Sequence, residues 1–328
     1  MKAPDFWREG GAWPLLLAPF GCLYALGGRI ERALARPVAT VIPVICIGNL
    51  TAGGNGKTPV AIAVARALTG AGRVPHFLSR GYGGSAAGPL RVDAAIHGAA
   101  EVGDEPLLLA RSGPAWVARD RVAGAKAAVA AGARTLVLDD GYQDPSLAKD
   151  VSIIVADGNG GFGNGRVIPA GPLREDIKGG LARASALVIM GADTWGVAAL
   201  AARFAPNLPV LTARLVLDEG AARLKGQRVF GFAGIGMPEK FLATLREIGA
   251  EVAGFRAFDD HHPYGARDED LLHREAARTN ARLVSTAKDA LRLSPAMREK
   301  TEVVEITARF ADEAALAAVL GISPRARG

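Results

Sequence analysis

The stretch from Val41 to Leu68, VIPVICIGNLTAGGNGKTPVAIAVARAL, limits what this chain can fold into more than any other. An apolar, β-branched run ending at Asn49 predicts a buried strand. A glycine-rich turn follows, and then an alanine-rich helical run with Pro59 near its start and Gly70 and Gly72 near its stop. Strand, glycine-rich turn and helix in that order is the setting of a phosphate loop, G-x-x-x-x-G-K-[ST]. Thr51 stands at the first glycine position, yet the mechanics survive. Gly53, Gly54 and Gly56 allow backbone N–H groups to turn inward around phosphate oxygens, and the helix N-terminus adds partial positive charge. Lys57 can reach the β- and γ-phosphates, and the Thr58 hydroxyl can hold Mg²⁺. The nucleotide-binding residues are therefore expected to be Thr51, Ala52, Gly53, Gly54, Asn55, Gly56, Lys57 and Thr58. A ligand-free turn is the alternative, and Gly-Lys-Thr at the right place argues against it.

Further apolar runs alternate with helical ones. Strands are expected over 73–81, 114–120, 134–141, 150–157, 184–190 and 209–217, with helices over 121–133 and 197–205. Such alternation, with continuously apolar strands, predicts an α/β fold: a phosphate-loop, mostly parallel sheet sandwiched by helices. Around 218–227 the chain turns polar, and a new β-α unit opens at RVFGFAGIGMPEKFLATLREIGA. RLVSTAKDALRL and TEVVEITARF each supply a later strand. The expected organisation is an N-terminal apolar segment and helix over 1–40, a nucleotide-binding domain over 41–221 and a smaller α/β domain over 222–328.

Hydrophobic residues make up 49% of the chain and charged residues 22%, enough to bury a full core. The net charge of +6 suits an anionic partner such as a nucleotide, a nucleic acid or an acidic membrane surface without choosing among them. Cys22 and Cys46 sit in apolar runs without metal-ligand neighbours, which predicts buried, reduced thiols. The run from Ala12 to Leu26 is nearly all apolar, but shorter than the roughly 20 residues a bilayer span needs. Pro14 and Pro19 are expected to disturb a helix there. It reads either as a core helix or as a segment lying in the membrane interface. Trp7, Trp13 and the basic GRIERALARP favour the interface.

A phosphate loop needs an acidic partner for its Mg²⁺ at the end of a buried strand, and TLVLDDG offers Asp139 and Asp140. Two adjacent carboxylates repel unless a cation or proton intervenes, which weighs against a mere turn cap. The guanine-reading N-K-x-D is missing, which favours ATP.

SRGYGG at 79–84, VGDEP at 102–106, DDGYQD at 139–144, GFGNGRVIPAGPLRE at 161–175 and FDDHHPY at 258–264 then follow in order. With the apolar N-terminus and GNLTAGGNGKTP, this set closely resembles the tetraacyldisaccharide 4′-kinase family over nearly the whole chain. Thr51 is also what that family tends to show. The resemblance implies transfer of the γ-phosphate of ATP, with Mg²⁺, to the 4′-hydroxyl of a tetraacylated glucosamine disaccharide 1-phosphate, the lipid A precursor. It implies work at the cytoplasmic face of the inner membrane, with two α/β/α domains enclosing the site. Neither a nucleic acid nor an obligate protein partner is expected.

On that template Asp104 is the expected base toward the acceptor hydroxyl, with an N-cap carboxylate as its alternative. His261 is the expected orienting or relaying group, favoured over His262 because the family pattern is Asp-His, here Asp260–His261; a turn histidine is the alternative. Lys57 completes the catalytic set. Thr58, Asp139, Asp140 and Glu175 are the expected metal shell. Arg80, Tyr82, Arg121 and Gln143 are expected near the substrate or the nucleotide. Many members carry His where this chain has Asp144. A phosphate-loop NTPase switch or metallochaperone acting on a protein partner is the competing class.

Overall fold

The computed structural model describes residues 4–53 and 56–323, so Gly54 and Asn55 of the expected nucleotide loop lie outside the described residues. Two sheets organise the chain. Nine strands form the larger: β1 (Val44–Gly48), β2 (Pro75–Ser79), β3 (Leu90–Arg91), β4 (Ala115–Val117), β5 (Thr135–Asp139), β6 (Val151–Asp157), β7 (Ala186–Met190), β8 (Val210–Leu217) and β13 (Ile306–Phe310). Four form the smaller: β9 (Arg228–Ala233), β10 (Glu251–Ala257), β11 (Arg282–Thr286) and β12 (Thr301–Val304).

The larger sheet runs in the order β13-β8-β7-β6-β1-β5-β2-β4-β3 and is parallel except at its two outer pairs. β1 lies between β5 and β6, with Ile47 opposite Asp139. The chain therefore switches direction around β1, and its C-terminal end opens the crevice where sheets of this kind bind ligands. All five residues of β1 are buried. Ile45 and Ile47 point into one core layer, Val44 and Cys46 into the other. The helix Lys57–Gly70 covers the first layer with Val60, Val64 and Leu68, spaced four apart on one face. Each such burial contributes roughly 1.5–3 kcal/mol, so Val64→Asp would break this layer. The opposite layer holds Leu50, Tyr142, Phe162 and Leu173, and the Tyr142 hydroxyl donates to the Gly180 carbonyl at 2.6 Å.

Thr301–Phe310 is not one strand, as its continuous pattern predicts. β12 pairs parallel to β11 in the smaller sheet, and after one residue β13 returns to pair antiparallel to β8 in the larger. The helix Glu313–Leu320 then buries Leu316 and Leu320 in the layer under the helix Lys57–Gly70. Residues 222–328 thus do not all belong with the smaller sheet, because the last strand and helix complete the first core. RLVSTAKDALRL is a strand only to Thr286; a short helix, Ala287–Ala290, follows.

The N-terminal segment forms a helix from Ala12 to Leu34 that runs through Pro19. Pro14 lies in its first turn, where a missing N–H costs nothing, and neither proline ends it as expected. One face docks on the loop after β6. Gly21 lies so close that a Cβ would stand 2.8 Å from the Val167 carbonyl oxygen. Just before the helix, the Trp7 indole donates to the Pro169 carbonyl at 3.1 Å. The other face exposes Trp13, Leu15, Leu16, Phe20, Leu23, Leu26, Ile30 and Leu34. Cys22, expected to be buried, is exposed here, whereas Cys46 is buried in β1. Among the described residues no helix is long and apolar enough to cross a membrane.

Candidate active site

β1 delivers the loop and the helix Lys57–Gly70 carries it away. Gly56 caps that helix at φ +83°, in the left-handed region where a side chain would be strained. Lys57 is buried, donates to the Gly53 carbonyl at 3.2 Å and lies 3.8 Å from Asp140 Oδ2. The Thr58 hydroxyl donates to Asp139 Oδ2 at 2.9 Å. Asp139 Oδ1 is buried and, among the described residues, lacks a hydrogen-bond partner. Burial, and next the charge of Glu105, push the Asp139 carboxyl up to about 7, against Lys57 and Thr58.

Asp140 takes a left-handed φ of 54°. Arg174 grips it with two bonds, Nη1 to Oδ1 at 2.8 Å and Nη2 to Oδ2 at 3.2 Å. Burial opposes its ionisation, but Lys57 and then Arg174 outweigh that and hold it below the usual carboxylate range. The repulsion expected of the doublet is thus relieved by two cations at one carboxylate and by the raised affinity of the other for a proton.

A hydroxyl and an unpaired buried carboxylate oxygen are hard oxygen donors, the type Mg²⁺ prefers. Asp139 and Thr58 therefore fit the ion. No group of three or more His, Cys, Asp or Glu side chains among the described residues could hold one alone, so phosphate and water oxygens would have to complete its shell.

Asp104 opens the helix Asp104–Ala110. It follows Gly103, whose φ of +89° and close approach to the Tyr82 carbonyl, 2.5 Å from an added Cβ, exclude any other residue. Asp104 is buried, and its Oδ2 meets His261 Nδ1 at 2.8 Å across 157 residues of sequence. Asp104 is thus the first residue of its helix rather than the N-cap carboxylate that was the alternative. His261 sits at φ +59°, after β10 in the smaller sheet. The Asp104 hydrogen bond, partly opposed by burial, raises the His261 pKa. Glu105, next to Asp104, acts electrostatically on Asp139, which ties this pair to the phosphate loop. His262 does something else: it stacks on Phe258 at 4.6 Å and bonds Asp268 at 3.1 Å.

Arg292 was not expected. Its side chain is 6% exposed, and its Nε lies 3.5 Å from the Asp104 oxygen that meets His261. Its other nitrogens donate to Asp289 at 2.9 Å, to the His262 carbonyl at 2.9 Å and to the Gly234 carbonyl at 3.1 Å. Asp289 is fully buried and also accepts from Gly234 N and the Tyr264 hydroxyl, both at 2.8 Å. The signal was in TAKDALR: an acid and a base three apart just past a strand end, where sites of this fold gather. Two elements of the smaller unit therefore reach one carboxylate of the larger.

Other expected residues land differently. The Glu175 carboxylate is buried and already satisfied: Arg183 donates at 2.7 Å, Gln143 at 3.2 Å, and Arg32 lies 3.5 Å away. In the structure without ligand its charge joins the loop to the N-terminal helix. Arg121 is also buried, donating to the Leu78 and Asp140 carbonyls at 3.1 and 3.4 Å with Asp144 at 3.9 Å. It is enclosed under the strand ends, with its bonds made to backbone carbonyls. Gln143 joins Asn49 O at 2.9 Å to Glu175 and accepts from Arg174 at 3.3 Å. Tyr82 is 87% exposed on the loop after β2, beside an exposed Arg80. The loop over 161–175 joins the site through its backbone: Ala52 N donates to Pro172 O and Arg174 N to Leu50 O, both at 2.7 Å.

The pattern that defines the tetraacyldisaccharide-1-P 4′-kinase family matches residues 13–322. The chain belongs to this family. Curated relatives of this kinase include the tetraacyldisaccharide 4′-kinases of Rhodospirillum rubrum, 52% identical over 98% of this chain and 97% of that one, and of a Methylobacterium species, 51% identical over 100% and 99%. In architecture the kinase is similar to the "apo" form of LpxK from Aquifex aeolicus in complex with ATP, with a TM-score of 0.75 at 24% identity, over 94% of this chain and 99% of that one.

Proposed function

We infer that this kinase transfers the γ-phosphoryl group of ATP to the 4′-hydroxyl of a tetraacylated glucosamine disaccharide 1-phosphate, a step of lipid A biosynthesis. The observation that carries the site assignment is the 2.8 Å contact between Asp104 and His261, made between the two units beside the phosphate loop. Phosphoryl transfer is mainly a matter of positioning and charge stabilisation, yet the acceptor hydroxyl must still lose a proton. Asp104 Oδ2 is occupied by His261 and Arg292, while Oδ1 has no hydrogen-bond partner among the described residues. Oδ1 is the acceptor for that proton. His261 orients the carboxylate and stabilises the charge around it, and buried Arg292 keeps a cation beside it.

The glycines and Lys57 cradle the phosphates. Thr58 and Asp139 would hold Mg²⁺, which would supply positive charge against the transferred phosphoryl group. Arg174 fixes Asp140, which in turn stands beside Lys57. The lipid acceptor stays in its bilayer, so the enzyme goes to it. The exposed apolar face of the helix Ala12–Leu34 is suited to lie in the interface at the cytoplasmic side of the inner membrane.

The test is purified protein with ATP, Mg²⁺ and the lipid acceptor in detergent micelles, reading ADP release. Release that depends on acceptor is expected. Turnover indifferent to acceptor would instead point to an NTPase acting on a protein partner.

A further inference from the structure

Between the last turns of the helix Ala12–Leu34 and the short helix Ile177–Ala182 lies an open cavity of about 400 Å³. Arg29, Arg32, Lys178 and Arg183 line it together with Asp176 and two small residues, Gly179 and Ala182. Four cations meet only two carboxylates there, Asp176 in the wall and Glu175 behind Arg32 and Arg183. The surplus is two positive charges. We propose that this cavity binds a phosphate group carried by a lipid, in the enzyme's membrane-bound state.

Three observations converge. First, the donors are available. Arg29 spends one N–H on Asp176, in an ion pair exposed enough to exchange readily for a phosphate, and Lys178 is exposed with no carboxylate partner among the described residues. Second, the height is right. Arg29 lies on the flank of the same helix that exposes Phe20, Leu23 and Ile30, so a layer of acyl chains on that face puts headgroup phosphates beside Arg29. Third, the cavity shares a wall with the nucleotide site. Arg174 grips Asp140, the next residue, Glu175, anchors Arg183 and Arg32, and Gln143 bonds to both. The anomeric phosphate of the substrate and the headgroup of an anionic phospholipid carry the same chemistry.

The lipid nature of the ligand rests on the kinase reading above. The test compares the wild type with an Arg29→Gln/Lys178→Gln variant, whose replaced side chains are exposed and leave the Glu175 cluster intact. A second variant, Lys126→Gln/Arg246→Gln, removes two exposed cations elsewhere. If phospholipid is the source, binding to phosphatidylcholine vesicles containing phosphatidylglycerol falls about fivefold per lost cation, on the order of 30-fold in all. Binding to pure phosphatidylcholine stays. If the substrate phosphate is the source, KM for the acceptor in uncharged detergent rises by a similar factor while affinity for an ATP analogue holds. The proposal is overturned if neither quantity moves, or if the second variant loses as much as the first. A wild type without acceptor-dependent transfer would instead overturn the kinase reading, with the vesicle comparison still legible.

Discussion

If Asp104 and His261 act as one unit, their substitutions will not multiply. Asp104→Asn removes the proton acceptor at nearly constant shape. Loss of a general base costs about 10²–10⁴-fold in kcat, or about 2.7–5.5 kcal/mol at 1.36 kcal/mol per decade. For His261 the structure dictates the probe: at φ +59° alanine would be strained, whereas asparagine tolerates the left-handed region. His261→Asn forfeits one hydrogen bond to a charged group, worth roughly 1.5–3 kcal/mol, hence about 10–150-fold in kcat. Because His261 works through the Asp104 carboxylate, the double variant should be no slower than Asp104→Asn alone. The assay is transfer from γ-labelled ATP to the lipid acceptor at saturating substrates, with affinity for an ATP analogue measured separately. Effects that add in free energy would refute a dyad. An Asp104→Asn enzyme that loses only ATP affinity would move Asp104 to the nucleotide shell.

Lys57→Ala should abolish transfer while the fold persists by circular dichroism, and wild-type product formation would remove the loop assignment. Asp139 is raised from 3.8 to about 7 in the folded protein, so the folded state holds its proton longer than the unfolded one. That contribution to stability is present below 3.8 and lost as pH climbs toward about 7; calorimetry without Mg²⁺ should show it, and Asp139→Asn should flatten it. Around the same pH, Mg²⁺ affinity should rise as Asp139 ionises, measured by titration calorimetry with an ATP analogue, and a flat profile would count against Asp139 as the ligand. Phe20→Glu with Leu23→Glu should release the protein from vesicles without lowering its melting temperature, since both side chains are already exposed.

Much of the larger sheet was legible because its strands are short, continuously apolar and punctuated by glycine and proline, a pattern set by burial on both faces. β10 and the helix Ala266–Arg278 were not anticipated; the strand is only half-buried and its pattern correspondingly weak. The return of β13 to the first sheet was invisible in TEVVEITARF, since pairing partners leave no mark on one strand's composition. Asp104 and His261 were legible through a family resemblance, Arg292 only as a charge pair past a strand end that no motif singles out.

What the chain by itself determined is chemistry between near neighbours: a strand, a glycine turn and Lys57–Thr58 at a helix start, where backbone geometry does the arranging. Only the tertiary structure decided which charges meet. It put His261 and Arg292 on Asp104 across 157 residues or more, and paired Asp140 with Arg174. It also enclosed Arg121 and Glu175 as supports. The physical reason is that a charge's role depends on what surrounds it once water is excluded, and packing alone chooses those surroundings.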